Sequence, residues 1–303
     1  MGRKKPPRVS GVVRVDKPAG CTSHDVVQRL RRAFGQSQVG HTGTLDPAAT
    51  GLMVVTLGRA TRIARFIEAT DKSYVGTVRL GTTTTTADAE GEVVESAEVP
   101  EFSDASILEA LSRFRGTIEQ TPPAFSAIKV DGERLHERAR RGEVVEVPRR
   151  TVDIHDLELV DRTTTELTIR ARVSKGTYIR SLAVDIGAAL GLPAHLSYLR
   201  RLTVGSHRVE EAVSPDRFFE PDPPVIAPAA ALGHLPVASL DHARTRDVAH
   251  GRPIRVEPTT GGNVRLLSPE GDLVAIATPH PETGRIDRYE VVLVRPEEVS
   301  GTV

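Results

Sequence analysis

The sequence predicts an α+β fold in two parts. A large domain over residues 11–220 carries a mixed, mostly antiparallel sheet with flanking helices, and a small β-rich module follows at 235–303. Three observations predict this. Alternating apolar segments (GVVRVDK, SYVGTVRLG, TELTIRARV) have the two-residue period of half-buried strands. Between them lie stretches with helical start and stop signals. Finally, EPDPPVIAPAAALGHLP (220–236) places five prolines in seventeen residues and separates the large domain from short strand patterns beyond it.

The elements follow in order. A basic tail, residues 1–10, reads as disordered and leads into the strand GVVRVDKPAG, which ends in a Pro/Gly turn. Thr22 and Asp25 form a capping-box pattern that opens a helix through Val26, Val27, Leu30 and Phe34, and Gly35 closes it. The loop QVGHTGTLDPAATG and the apolar strand GLMVVTLG come next; residues 59–69 read as helix and SYVGTVRLG as strand. A polar connection, TTTTTADAEGEVVE, leads to a helix from Ser103 to Arg115 stopped by Gly116. Residues 129–150 are charged and turn-rich, and read as a protruding arm. TELTIRARVSKGTYIR runs as a strand into the helix SLAVDIGAALG, closed by Gly191 and Pro193, and another strand begins near Leu202. Residues 221–234 read as a linker. Beyond it, strands at Leu235–Leu240, Val264–Leu267, Leu273–Ala277 and Tyr289–Val294 alternate with turns, the pattern of an all-β module.

Composition narrows the function classes. With 39% apolar and 26% charged residues, the chain is an ordinary globule rather than a disordered one. It contains no apolar run of the roughly 18–20 residues that span a bilayer. The start, MGRKKPPRVSGVV, lacks the apolar core of a secretory signal, so the cytoplasm is expected. Cys21 is the only cysteine, and the ten histidines are scattered without HExxH spacing, so neither a thiolate cluster nor a zinc site is expected. The zero net charge hides an asymmetry: residues 1–66 hold 12 Lys/Arg against 3 Asp/Glu, whereas 67–130 hold 5 against 11. A polyanion would find its complement on the N-terminal third.

The most unusual segment is GHTGTLDPAATG, residues 40–51, where three glycines and a proline make a tight loop that presents His41, Thr42, Thr44 and Asp46. It is not a phosphate loop, because no GK[ST] follows. Taken alone, such a loop reads as a structural turn. Its company changes that reading. With DKPAGCTSHD upstream, DKSYVGTVRLG at 71–81 and SKGTYIRSLAVDIG at 174–187, in order and at matching spacing, the chain closely resembles the TruB family of transfer-RNA pseudouridine synthases. The likeness runs almost without break from Gly11 to about Arg217, through TPPAFSAIKVDGERLHERAR and AHLSYLRRLTVG.

The resemblance implies a fold, a reaction and residues. The large domain becomes a pseudouridine synthase domain with an RNA-gripping insertion at about 129–150, and the tail module corresponds in place to a PUA-like RNA-binding domain. That module's sequence match is weak, and the 8 Lys/Arg against 12 Asp/Glu of residues 219–303 make strong phosphate binding doubtful. The substrate implied is uridine 55 in the TΨC loop of tRNA, reached through the T-arm stem-loop by a monomer that needs no metal, cofactor, membrane or obligatory protein partner. Asp46 matches the catalytic aspartate, Tyr74 the tyrosine that stacks on the target base, and Arg180 the arginine that pairs with the catalytic carboxylate. Leu199 falls at an apolar pocket position, and His41 matches the histidine that enters the RNA loop. Lys17, Tyr178 and Asp88 fall behind these, with Lys129 on the insertion as a further substrate contact. Thr82–Thr86 replace a more acidic stretch found in some relatives.

Elementary chemistry agrees with these assignments. The reaction breaks the uracil N1–C1′ bond, turns the base and joins C5 to C1′, so product and substrate are isomers. A carboxylate beside the sugar, in a site closed to water, can attack C1′ or remove the proton that starts an elimination. An arginine partner would hold it charged by lowering its pKa. A uridine in a folded loop must first be extruded, at a few kcal/mol, and stacking on Tyr74 would return roughly 1–3 kcal/mol. Arg29, Arg31, Arg32, Arg59, Arg62 and Arg65 flank the loop, and Arg134, Arg138, Arg140 and Arg141 lie on the arm; all are candidate phosphate contacts.

Three other readings compete. The guide-RNA-dependent enzymes of archaea and eukaryotes share these motifs but usually lack the 129–150 insertion. An RNA-folding module with secondary catalysis would bind RNA without needing Asp46. A metal hydrolase built on His41 and Asp46 would lose activity in chelator.

Overall fold

The computed structural model describes residues 8–123, 125, 129–130, 133–134, 147–258 and 261–299. The strands of the large domain are β1 (Gly11–Lys17), β2 (Val39–His41), β3 (Thr50–Leu57), β4 (Lys72–Leu80), β5 (Thr82–Thr84), β6 (Val93–Ser96), β7 (Gly116–Gln120), β8 (Lys129–Val130), β9 (Glu133–Arg134), β10 (Arg150–Arg162), β11 (Glu166–Val173), β12 (Ala194–Val204) and β13 (His207–Arg208). Its helices are α1 (Ser23–Ala33), α2 (Ala64–Glu68), α3 (Asp104–Ser112) and α4 (Ile179–Ala189). The main sheet runs β1-β3-β12-β4-β11-β10-β7, with β2 added on β3 and β13 on β12. All its pairings are antiparallel except β3 with β12. The sheet is therefore mixed and mostly antiparallel, as the strand periods predict.

Apolar alternation places the layers. One face of β4, β10, β11 and β12 joins α3 and α4 in a core that includes Val78, Ile107, Ile154, Ile169, Leu182 and Ile186. On the β1–β3 side, Val26, Val27 and Leu30 of α1 pack on Val13, Val15, Met53 and Val55. The capping box is present, with the Thr22 side chain accepting from Asp25 N and Asp25 accepting from Thr22 N. Where β3 and β12 meet, Gly51 sits opposite Arg201 at φ +98°, and a Cβ there would lie 2.3 Å from the Arg201 carbonyl. Only glycine lets the two backbones approach so closely.

Several segments differ from the sequence reading. The polar connection 82–96 closes into a two-stranded hairpin, β5 with β6. The long strand β10, whose pattern is interrupted by charges, was not anticipated. Residues 221–234 do not form a free linker. Ile226 exchanges backbone hydrogen bonds with Val12, and Ala231 and Leu232 are buried. Proline here stiffens a packed strap rather than loosening a tether.

That strap carries α5 (Pro228–Ala231). The C-terminal module has β14 (Val237–Ser239), β15 (Ile254–Arg255), β16 (Val264–Leu267), β17 (Leu273–Ala277), β18 (Arg285–Ile286) and β19 (Tyr289–Val292), plus α6 (His242–Ala249) and α7 (Pro296–Val299). Its sheet is β14-β16-β17-β19. The module is β-rich but not all-β: Asp241 caps α6, whose Thr245 and Val248 face the core. Leu273, Ile276, Val291 and Leu293 pack in one cluster with Val12, Leu52, Ile63 and Phe66, so the module shares a core with the large domain. Of the basic tail, residues 1–7 lie outside the described residues, while Val9 exchanges two hydrogen bonds with the Gln36 side chain.

Candidate active site

Asp46 lies on the loop between β2 and β3, and Arg180 on the first turn of α4. The Arg180 guanidinium faces this carboxylate with two nitrogens: Nε is 3.0 Å from Oδ2, and Nη2 donates to Oδ1 at 3.4 Å. Its other donors are also engaged. Nη1 donates to Thr86 O at 3.0 Å and lies 3.4 Å from Asp88 Oδ2, and Nη2 donates to Phe125 O at 3.0 Å. The Arg180 side chain is only 7% exposed, against 39% for Asp46. The cation is thus a buried fixture, and the carboxylate is its open end. A planar fork suits this task because it fixes carboxylate direction as well as charge.

The sequence reading expected arginine to lower the Asp46 pKa. The structure corrects the sign. Burial pushes the Asp46 carboxyl above its usual range, Arg180 and Lys17 offset part of this, and neighbouring Asp88 adds to it. Desolvation and a second carboxylate outweigh the ion pair.

Asp88 belongs to the turn joining β5 and β6. Ala87, at φ +60°, turns the chain so that Thr86 O and Asp88 Oδ2 converge on the same Arg180 nitrogen. Leu196 N donates to Ala87 O and pins that turn to β12. Tyr74 is buried on β4, cross-strand from Ala171 and Arg201, in the apolar cluster that also holds Leu45 and Ala49 of the Asp46 loop. Leu199 packs against that cluster. The structure therefore brings Asp46, Arg180 and Asp88 together, with Tyr74 and Leu199 in the apolar cluster that the Asp46 loop joins through Leu45 and Ala49.

The remaining expected residues take different positions. Tyr178 is the N-cap of α4. Its backbone exchanges two hydrogen bonds with the Gln120 side chain, and its ring lies under the Arg150 guanidinium at 5.5 Å. Lys17 is fully buried; its ammonium donates to Pro18 O, Pro47 O and Ala49 O at 3.0, 3.0 and 2.6 Å. All three of its protons are engaged, so Lys17 braces the Asp46 loop and is not free for substrate. His41 ends β2 with a buried Nδ1 that has no hydrogen-bond partner among the described residues. Burial and the nearby Arg201 push its pKa down, which favours the neutral ring. Lys129 lies in β8, with its side chain outside the described residues, as are most residues of the 129–150 arm.

The basic residues divide. Arg59 forms a two-pronged pair with Glu298, Arg62 donates to Val292 O, and Arg65 pairs with Glu290 at 2.7 Å. These three hold the C-terminal module in place and are not spare phosphate ligands. Arg29 pairs with Asp216. Arg32 is exposed and without a partner among the described residues. Composition could not foresee this, because the acids that engage Arg59 and Arg65 lie more than 200 residues away in sequence.

Sequence reasoning also missed Arg201, Thr86 and Phe125. Arg201 is buried and donates to Leu52 O and Gly43 O. Thr86 and Phe125 act through main-chain carbonyls, which leave no side-chain signature. Among the described residues, no group of three or more His, Cys, Asp and Glu could hold a metal ion, and no helix is long and apolar enough to cross a membrane.

The family model described as TruB family pseudouridylate synthase (N terminal domain) matches residues 31–179. The chain is 44% identical over 279 residues to the tRNA pseudouridine synthase B of Thermobifida fusca (strain YX), covering 88% of this chain and 94% of that protein. The chain belongs to the TruB family. It is also 50% identical over 212 residues to the tRNA pseudouridine synthase B of Corynebacterium efficiens, covering 69% of this chain and 71% of that one. The TruB fold extends beyond these relatives. A solved Cbf5-Nop10-Gar1 complex contains a chain with TM-score 0.75 and 25% identity, covering 96% of this chain and 87% of that chain.

Proposed function

We propose that this TruB-family protein isomerises uridine to pseudouridine in transfer RNA, acting at uridine 55 of the T arm. The observation that carries the reading is the Asp46 carboxylate, open on one side and held from behind by the buried Arg180 fork. A carboxylate so fixed can act at C1′ of an extruded nucleotide, as nucleophile or as the base that begins elimination, and both routes remain open. Partial burial leaves the carboxylate less solvated than a free one, and a nucleotide seated on its open side would displace the remaining water.

The other side chains take roles that follow from position. The Tyr74 ring supplies a stacking surface for the displaced uracil, and Leu199 an apolar wall. His41, neutral and with an unpartnered Nδ1, enters the RNA loop and offers its ring to the unpaired bases. Arg32, exposed on α1, meets a phosphate. Because the product is an isomer, the reaction calls for no redox partner and no group donor. We place the protein in the cytoplasm as a monomer.

Purified protein incubated with a T-arm stem-loop, followed by mapping of pseudouridine, tests this. The expected result is product at position 55 with no added RNA or protein, and none from Asp46→Ala, which still binds. The motifs shared with guide-RNA-dependent enzymes leave a second reading, dependence on a guide RNA. Product that forms only when guide RNA and partner proteins are supplied would establish it. Undiminished product from Asp46→Ala would sink the catalytic assignment.

A further inference from the structure

The loop that presents Asp46 has its peptide groups tied one after another. Arg201 Nη2 donates to Gly43 O at 3.1 Å, Ala49 N donates to Asp46 O at 3.1 Å, and Gly20 N joins Lys17 on Pro47 O. The tie nearest Asp46 comes from a residue read above only as the first position of a helix. Ser23 Oγ accepts from Leu45 N at 2.8 Å and donates to Leu45 O at 2.9 Å. One buried hydroxyl thus satisfies both backbone groups of Leu45, 22 residues away.

The consequence for Asp46 is geometric. The Leu45 carbonyl and the Asp46 N–H share one peptide plane, and the Leu45 N–H belongs to the plane before it. Fixing both planes from one oxygen fixes the two dihedrals of Leu45 and the direction in which the chain enters Asp46. The Leu45 side chain is buried in the Tyr74 cluster, so the same residue couples loop, stacking ring and helix. Thr22, one residue earlier, serves the helix alone. Its side-chain hydrogen bonds go to Asp25, and none among the described residues reaches the loop.

We infer that Ser23 is a positioning residue for Asp46, setting the angle at which the carboxylate meets the ribose. This rests on Asp46 being the reacting group. A displacement of about 1 Å at a reacting atom costs on the order of 100-fold in rate, and loss of both Leu45 ties frees the peptide plane that precedes the carboxylate.

The test compares Ser23→Ala with Thr22→Ala. Measured are single-turnover pseudouridine formation across pH, T-arm affinity and melting temperature. Thr22→Ala removes the N-cap of α1 and Ser23→Ala removes the two ties to Leu45, so a merely structural role lowers each melting temperature and leaves both rates near wild type. The positioning role predicts that only Ser23→Ala loses rate, by about 100-fold, with affinity within ~3-fold and the acid limb of its rate profile displaced as the Asp46–Arg180 alignment loosens. Should Ser23→Ala not fold, Ser23→Cys is read in the same way, since a thiol is a weaker and longer hydrogen-bonding group. Rates equal for the two variants, or a loss confined to affinity, would overturn the proposal. Wild-type turnover with an inactive Asp46→Ala, measured in parallel, shows that such an outcome reflects Ser23 and not the reaction assignment.

Discussion

Replacing Arg180 with lysine keeps the positive charge and removes the fork, which makes it a sharp probe of this site. The wild-type guanidinium makes five contacts, two on Asp46 and one each on Asp88, Thr86 O and Phe125 O. A lysine ammonium is a point charge with three protons, and it cannot span both carboxylates and both carbonyls. Hydrogen bonds to charged groups contribute roughly 1.5–3 kcal/mol each. Losing about two of them while keeping the charge should cost about 3–6 kcal/mol, a fall in Tm of roughly 5–10 °C. The kinetic cost is separate. An Asp46 carboxylate no longer held at two points loses orientation worth on the order of 100-fold, about 2.7 kcal/mol in the barrier. The shorter lysine also sets its charge farther from the carboxylate, which weakens the coulombic offset to burial and moves the Asp46 pKa further up. Single-turnover pseudouridine formation at several pH values reads both effects. A lower plateau is expected, an acid limb displaced to higher pH, and T-arm affinity within ~3-fold. If the lysine variant kept the wild-type plateau and limb, the two-point grip on Asp46 would have no part in the reaction.

Three further outcomes follow. Because the folded state raises the Asp46 pKa, its ionisation opposes folding: the proton-linked stability is fully present below the unfolded value of about 3.8 and is lost as pH rises through the folded value. Asp46→Asn should therefore abolish product while melting no lower than wild type at pH 7, and a large loss of Tm would contradict the burial argument. Glu298 shows the opposite sign, its carboxyl held down at about 2 by Arg59. The pair is partly exposed and worth up to ~1 kcal/mol, so the Tm deficit of Glu298→Gln should be visible at pH 7 and shrink as pH falls from about 4.5 towards 2. In a salt titration of T-arm binding, Arg32→Ala should reduce the slope by about 1, whereas Arg59→Ala should leave it unchanged because Arg59 already serves Glu298.

The Asp46 loop was legible because its glycines, proline and aspartate are adjacent in sequence, and Tyr74 and Arg180 sit in motifs of their own. Strand periods likewise gave most of the sheet, and the capping box gave the start of α1. The misses share one cause. Ser23 drew no functional reading because its partner, Leu45, is an apolar residue that contributes only its backbone. Arg59, Arg62 and Arg65 looked free because their partners belong to the far end of the chain. The 221–234 strap looked flexible because composition reports the stiffness of proline and not what lies beneath it.

What the sequence determined by itself was the set of local choices: strand or helix, cap or turn, and which chemical groups are present. Tertiary structure decided which charges face each other and which are cut off from water. The Asp46 pKa direction is the plainest case. Sequence supplied an acid and an arginine and so suggested a lowered value. Folding placed that acid in a partly desolvated position beside Asp88, where the cost of lost hydration outweighs the ion pair. Hydration and Coulomb energies depend on distance through space and on burial, and neither can be read from position along the chain.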